Sequence, residues 1–280
     1  MAARIQLLRD CAAIGAGTPE LSALQEVITT ESVAASDSTA FARALLVRAS
    51  ITALELLPTL PVDDSVKHLF CKEFLFYATA SGAACQMFAI TGYPFIAMSK
   101  ITLLDRFPGG QQQWEVSGFP RRWLTSIRLS MLPEATWFIA TKVRGFSPYF
   151  VSHMAVTSQK ASFLLEREYF KSFYRMAAAI EKQPSIKAIM GSSWLHSLET
   201  HRVSPHLSFL NQPHLEAGGI YMDIGPAPRN AGFLSGDKQR EALYLAGSYK
   251  PTIGVVVCTR EQAIAWKKTH ADLEALLRVP

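Results

Sequence analysis

The spacing of apolar residues changes after Thr136, and that change most limits what this chain can fold into. Up to about residue 105 they recur at the 3.6-residue period of helices. Beyond Thr136 they gather into short runs of β-forming residues separated by breakers and by longer helical stretches. Thr136–Val143, Tyr149–Val156, Ile186–Met190, Ile220–Ile224 and Thr252–Cys258 read as strands. The first two are separated by Gly145-Phe146-Ser147-Pro148 and are expected to pair as a hairpin or lie side by side. In the second, only Ser152 and His153 interrupt an otherwise apolar run, the pattern of a central strand covered on both faces. The expected fold class is therefore α+β (or α/β): a mixed central sheet covered by helices, preceded by a helical N-terminal region. The expected division is residues 1–105 and 106–280.

Helix-boundary signals support this division. Thr18-Pro19 opens a helix to about Ile28, Phe41–Leu57 ends at Pro58, and Asp63-Asp64 place acidic groups at the positive end of the next helix. That helix carries Val66, Leu69, Phe70, Phe74 and Tyr77 as its apolar stripe, with Glu73 inside it. A carboxylate there either pairs with a buried cation or does chemistry. A long helix is expected from about Ser158 to Lys182. Its buried stripe runs from Phe163 to Ile180 with Glu166 near the middle, and Arg167, Glu168, Lys171, Ser172 and Arg175 make its solvated face. A helix over Ser235–Ala246 and a last one from Arg260 to Leu277 follow, the latter opened by a Thr259/Gln262 capping box.

With 49% hydrophobic and 18% charged residues in 280, a sizeable core can form. The net charge of +5 is mild, and no Lys/Arg block exceeds two residues, so no nucleic-acid partner is expected. No apolar run approaches the roughly 18–20 residues that span a bilayer, and no membrane partner is expected. Arg9-Asp10 interrupts any signal-peptide core, which points to a cytoplasmic protein. Cys11, Cys71, Cys85 and Cys258 show no CxxC spacing and read as reduced, mostly buried thiols.

Two stretches concentrate polar and aromatic groups between breakers. In Arg106–Thr125, Gln113-Trp114-Glu115-Val116 reads as a short strand between two turns, with Trp114 and Phe119 as a lid and Arg121 within reach of a substrate. The bland alternative is a surface hairpin with a solvated Arg121-Arg122 pair. In Ile186–Leu210, a strand breaks at Gly191 and sets Ser192, Ser193, Trp194 and His196 within six residues. The C-terminal end of a strand is the usual ligand position in α/β sheets. His153 is either a hydrogen-bonded core residue or a base, and Asp223 is either solvated or orients a basic partner. His196, His201, His206 and His214 fit no metal-ligand spacing, and most are expected at the surface. Glu115, His153, Glu166 and Ser192 are expected to converge on one cavity, with Trp114, Arg121, Trp194 and Glu73 as substrate contacts and no metal.

The chain lacks G-x-S-x-G, Walker A, G-x-G-x-x-G and HExxH. The order of elements over residues 136–258 resembles the core of the GNAT acyltransferase superfamily. Tyr149–Val156 takes the place of the central strand, Ser158–Lys182 the helix after it, Ile186–Met190 the splayed strand, and Pro205–Leu210 the next helix. The last two strands are then Ile220–Ile224 and Thr252–Cys258. The family's phosphate loop, R/Q-x-x-G-x-G/A, falls on Thr157-Ser158-Gln159-Lys160, which does not match it. Its nearer match is Arg229-Asn230-Ala231-Gly232-Phe233-Leu234, ending in Leu234 where the family has Gly or Ala. The resemblance implies an acyl-CoA cofactor held by Lys160, Arg229 and Gly232. It also implies a small-molecule transferase of the acyl-transfer type acting on an amine or amino-acid-like substrate. Glu115, His153 or Glu166 would then be the base, and backbone N–H groups at Gly191–Ser193 or Thr157–Lys160 would stabilise the oxyanion or phosphate. The competing expectations are a cofactor-independent hydrolase or lyase using Ser192 or Ser193 with a histidine, and a non-enzymatic ligand-binding protein.

Overall fold

A computed structural model describes residues 38–89, 93–155, 164–228, 231–232 and 237–277. The chain divides into two compact units, residues 1–108 and 109–280. The Thr18–Ile28 helix expected from sequence lies outside the described residues.

The first unit contains helices α1 (Ser38–Leu56), α2 (Asp64–Thr79) and α3 (Tyr93–Thr102) and ends on a short strand, β1 (Arg106–Pro108). Pro58 turns the chain out of α1 through a 3₁₀ turn at Leu57–Thr59. Asp63 is extended before α2 and Asp64 occupies its first turn, where a carboxylate suits the helix dipole. The predicted stripe buries Val66, Phe70, Phe74 and Tyr77. Phe70 is the centre of an aromatic group, 5.9 Å from Phe74 and 6.0 Å from Phe107 between ring centroids.

The second unit is built on strands β2 (Gln112–Ser117), β3 (Tyr149–Met154), β4 (Ala188–Ser193), β5 (Ile220–Pro226) and β6 (Thr252–Thr259), in the spatial order β2-β3-β4-β6-β5. β3 and β4 are parallel, joined by the long helix α5 (Glu166–Glu181), while β2 runs antiparallel to β3 and β6 antiparallel to both β4 and β5. The four later runs expected as strands thus contribute to one sheet, with β3 ending at Met154 and β4 shifted to Ala188–Ser193, and the fold is the mixed α+β class.

Alternation along the strands sorts side chains onto two faces. Val151, Met190, Met222, Val255 and Val257 share one face with Phe119, Phe138, Ile139 and Val143 in a single buried cluster. The other face is covered by α5 and by α9 (Arg260–Thr269), where Trp266 meets the Phe173 ring edge-on at 4.9 Å. The Thr259/Gln262 capping box that opens α9 is formed in both directions. Before it come α6 (Leu198–Val203), α7 (Gln212–Glu216) and α8 (Lys238–Leu245). The chain beyond α9 turns into a short α10 (Asp272–Ala275) instead of continuing as one helix to Leu277.

Several expectations are corrected. Thr136–Val143 is not a strand: α4 (Leu132–Trp137) runs straight into a π-helical turn over Phe138–Val143, so no hairpin links it to β3. Pro133 and Glu134 in the first turn start the helix. The buried residues Ala135, Phe138, Ile139 and Val143 then fall at helical spacing, which overrides the β propensity of the run. α5 begins at Glu166, so this carboxylate is an exposed first-turn residue, not the centre of a buried stripe. Nor is the Ser172/Arg175 side solvated: Ser172 is fully buried, and buried Arg175 donates through Nη1 to Gly109 O at 2.7 Å. Trp114 and Phe119 form no lid, because both are buried, Trp114 completely and Phe119 in the sheet's apolar cluster. Among the described cysteines only Cys258 is buried.

Candidate active site at the parting of two parallel strands

The two parallel strands begin as a regular pair and then separate. β3 and β4 pair from Tyr149↔Ala188 to Ser152↔Gly191. Beyond that point β3 continues along β2, with His153 opposite Gln113 and Met154 opposite Gln112. β4 continues along β6, with Ser192 opposite Val255 and Ser193 opposite Gly254. Each strand keeps a partner on its outer side while the inner ladder ends, leaving a parting at the C-terminal ends of a parallel pair.

Glu115 and His153 meet beside this parting. On the antiparallel β2–β3 ladder Glu115 faces Val151 and Gln113 faces His153, so Glu115 and His153 are diagonal neighbours on one sheet face. Glu115 Oε1 lies 3.4 Å from His153 Nε2, with both side chains mostly buried. The parallel register puts Val151 beside Met190, so the next residues on the same face are His153 and Ser192. Three of the four residues expected to converge therefore share one face and one end of the sheet. Glu166 is exposed at the start of α5.

On the opposite face Gly191 is an interior strand residue and not a break. A Cβ there would lie 2.7 Å from His196 Nε2 and 3.2 Å from Ser152 Oγ, so the absent side chain admits the imidazole against the sheet. Asn211 Nδ2 donates to His196 O at 2.9 Å, which leaves Asn211 Oδ1 to accept from His196 Nδ1–H at 2.7 Å. The lone pair of His196 is thereby assigned to Nε2, aimed at Gly191. Burial pulls this imidazole down to about 4, with the Asn211 bond raising it and His201 lowering it. His214, packed edge-on 4.7 Å from the Phe173 ring, is pushed well below the ordinary histidine range by burial and by His196. Most of the four clustered histidines were expected at the surface, yet these two are in the core. No local signal marks them, since Asn211 comes fifteen residues after His196 and their contact exists only in three dimensions.

The remaining candidates are dispersed. Ser193 Oγ accepts from Leu195 N at 3.1 Å and so caps the turn over Trp194–His196. Trp194 stacks under the Arg240 guanidinium at 5.2 Å, and Arg121 lies over the Phe146 ring at 5.3 Å. Gly232 adopts a left-handed φ of 79°, while Lys160 and Arg229 lie outside the described residues. Glu73 belongs to the first unit. Burial raises its carboxyl to about 7, opposed by a hydrogen bond from Tyr77 Oη at 3.4 Å, and no cation pairs with it among the described residues. Among the described residues no group of His, Cys, Asp and Glu is placed to hold a metal, and no helix is long and apolar enough to cross a membrane. Compared with protein-family models, curated proteins and solved structures, the chain matches none of them.

Proposed function

We propose that the protein is a small-molecule transferase of the acyl-transfer type, taking an acyl-CoA donor and an amine or amino-acid-like acceptor. The observation that carries this reading is the end of the β3–β4 ladder at Ser152↔Gly191, with the Glu115–His153 pair on the adjoining strands. It falls on the strand that the GNAT resemblance makes the splayed one. Where the ladder ends, backbone groups pointing from β4 toward β3 beyond Gly191 are available to an extended amide-bearing chain such as the pantetheine arm of CoA. The donor supplies a thioester carbonyl. The chain's own residues do the rest. Glu115 orients the His153 imidazole and favours its taking up a proton, His153 removes a proton from the acceptor ammonium, and a β4 N–H stabilises the negative charge that develops on the carbonyl oxygen. Thiol and amide are the products: of the two protons the ammonium loses, one is taken up by His153 for return to solvent and the other, released as the tetrahedral adduct collapses, goes to the leaving sulfur.

The test has two parts. Saturating acetyl-CoA is expected to raise the melting temperature by a few degrees, because only the folded state binds it. His153→Gln is expected to keep that shift while lowering acyl transfer to amines by roughly 100-fold or more. No shift with acetyl-CoA or CoA would overturn the reading and favour a hydrolase or lyase built on Ser192 with a histidine.

A further inference from the structure

At the same end of the sheet, on its β5–β6 side, the chain forms a cleft of about 500 Å3 that none of the preceding residues explains. We infer that this cleft is a binding site for a free α-amino acid, with Asp223 receiving the ammonium group and Arg128 and Lys250 the carboxylate.

The cleft follows from a defect in the sheet. β5 and β6 pair regularly from Ile220↔Val257 to Asp223↔Gly254, then shift register before Pro226↔Thr252. The irregularity contains Gly225 at φ 101°, a conformation that a side chain would strain. Gly225 N donates to Asp223 Oδ1 at 3.1 Å, so the bulge fixes the carboxylate through one oxygen. The other oxygen has no donor among the described residues, and Asp223 has no cationic partner among them. Arg128 is tied to the same strand by its backbone, N to Asp223 O at 2.9 Å, which places its side chain on the cleft wall without engaging the guanidinium. Lys250 enters from the start of β6, and neither cation is ion-paired among the described residues.

The fourth charged group of the lining, Glu199, is already neutralised by Arg202 at 3.0 Å, and Arg202 also donates to Ser248 O at 2.6 Å, fixing that wall. Asp223 and Glu199 both act on half-buried Tyr221, whose hydroxyl is pushed up to about 12 by burial first and by these carboxylates in smaller part. The cleft thus offers one fixed, uncompensated carboxylate and two uncompensated cations across a space of small-molecule size. A simple anion would leave Asp223 unanswered and a simple amine would leave Arg128 and Lys250 so. A zwitterion answers both signs.

The inference stands without the acyl-transfer reading, because it concerns binding alone. The test is saturation-transfer NMR of the full chain with each of the twenty amino acids, with succinate and cadaverine as single-sign controls, followed by titration of the strongest binder. At least one amino acid is expected to bind more tightly than either control. Asp223→Asn and Lys250→Ala are each expected to weaken it about tenfold or more, as loss of a charge-assisted contact does. Both positions are surface-accessible, and unchanged melting curves would show that the variants fold. No saturable binder among the twenty, a control binding as tightly as the best amino acid, or affinity unmoved by both substitutions would each overturn the assignment. Acetyl-CoA stabilisation in the same variants reports separately on the donor site.

Discussion

His214 is fully buried, and neither ring nitrogen has a hydrogen-bond partner among the described residues. A buried polar group in that state costs stability that an apolar side chain of similar volume does not. His214→Leu is therefore expected to be neutral or stabilising by up to about 2 kcal/mol at pH 7. The pH dependence has a definite sign. The folded-state value lies well below 6.5, so under acid the unfolded chain takes up a proton that the folded chain refuses. Stability contributed by the neutral imidazole is present above about pH 6.5 and declines as pH falls toward the folded-state value. His196, brought down to about 4, adds to the same decline between pH 6.5 and 4. Urea unfolding of His214→Leu between pH 7 and 4 should show a shallower loss than the parent chain. A penalty above 2 kcal/mol at pH 7 would mean that the ring does bond to something in the core.

Among the elements, β4 carries the most demanding local geometry. At Gly191 the His196 ring occupies the space of a side chain, and Asn211 pins that ring from behind. Gly191→Ala should destabilise by about 1–3 kcal/mol through overpacking, even though alanine suits a strand better than glycine does. Combining it with His196→Ala should recover part of the loss, a coupling that a double-mutant cycle in guanidinium reads directly. A single variant as stable as the parent would remove the argument. The same strand shows how far the sequence was legible. Glycine after a buried run reads as a break, and nothing within a few residues announces an imidazole arriving from five positions on. Short apolar runs bounded by turn residues were legible at β3 and β6, which are buried on both faces, and at β5. The run Thr136–Val143 was not, because its β-forming residues also fall at helical spacing and Pro133-Glu134 decide between the two. The Glu115–His153 contact depends on strand register, which neither residue's neighbours reveal.

At the scale of the whole molecule, every strand and helix described around the β3–β4 parting is drawn from residues after Gly109. Residues 109–280 expressed alone are expected to fold cooperatively, with near-native far-ultraviolet circular dichroism and a single unfolding transition. A non-cooperative melt would show that this unit cannot stand by itself. The strand order β4-β6-β5 also has a consequence for how the chain is made. β6 lies between two strands that precede it, so β4 and β5 leave the ribosome with facing edges that have nothing to pair with until β6 emerges. Each unpaired edge offers its backbone groups to any other extended chain in the interval. The sheet therefore closes by late insertion of one strand between two waiting ones. A nascent chain that has emerged past Pro226 but not yet through Thr259 would display edges prone to pair with its neighbours on a polysome, whereas emergence of β6 would let it close on itself.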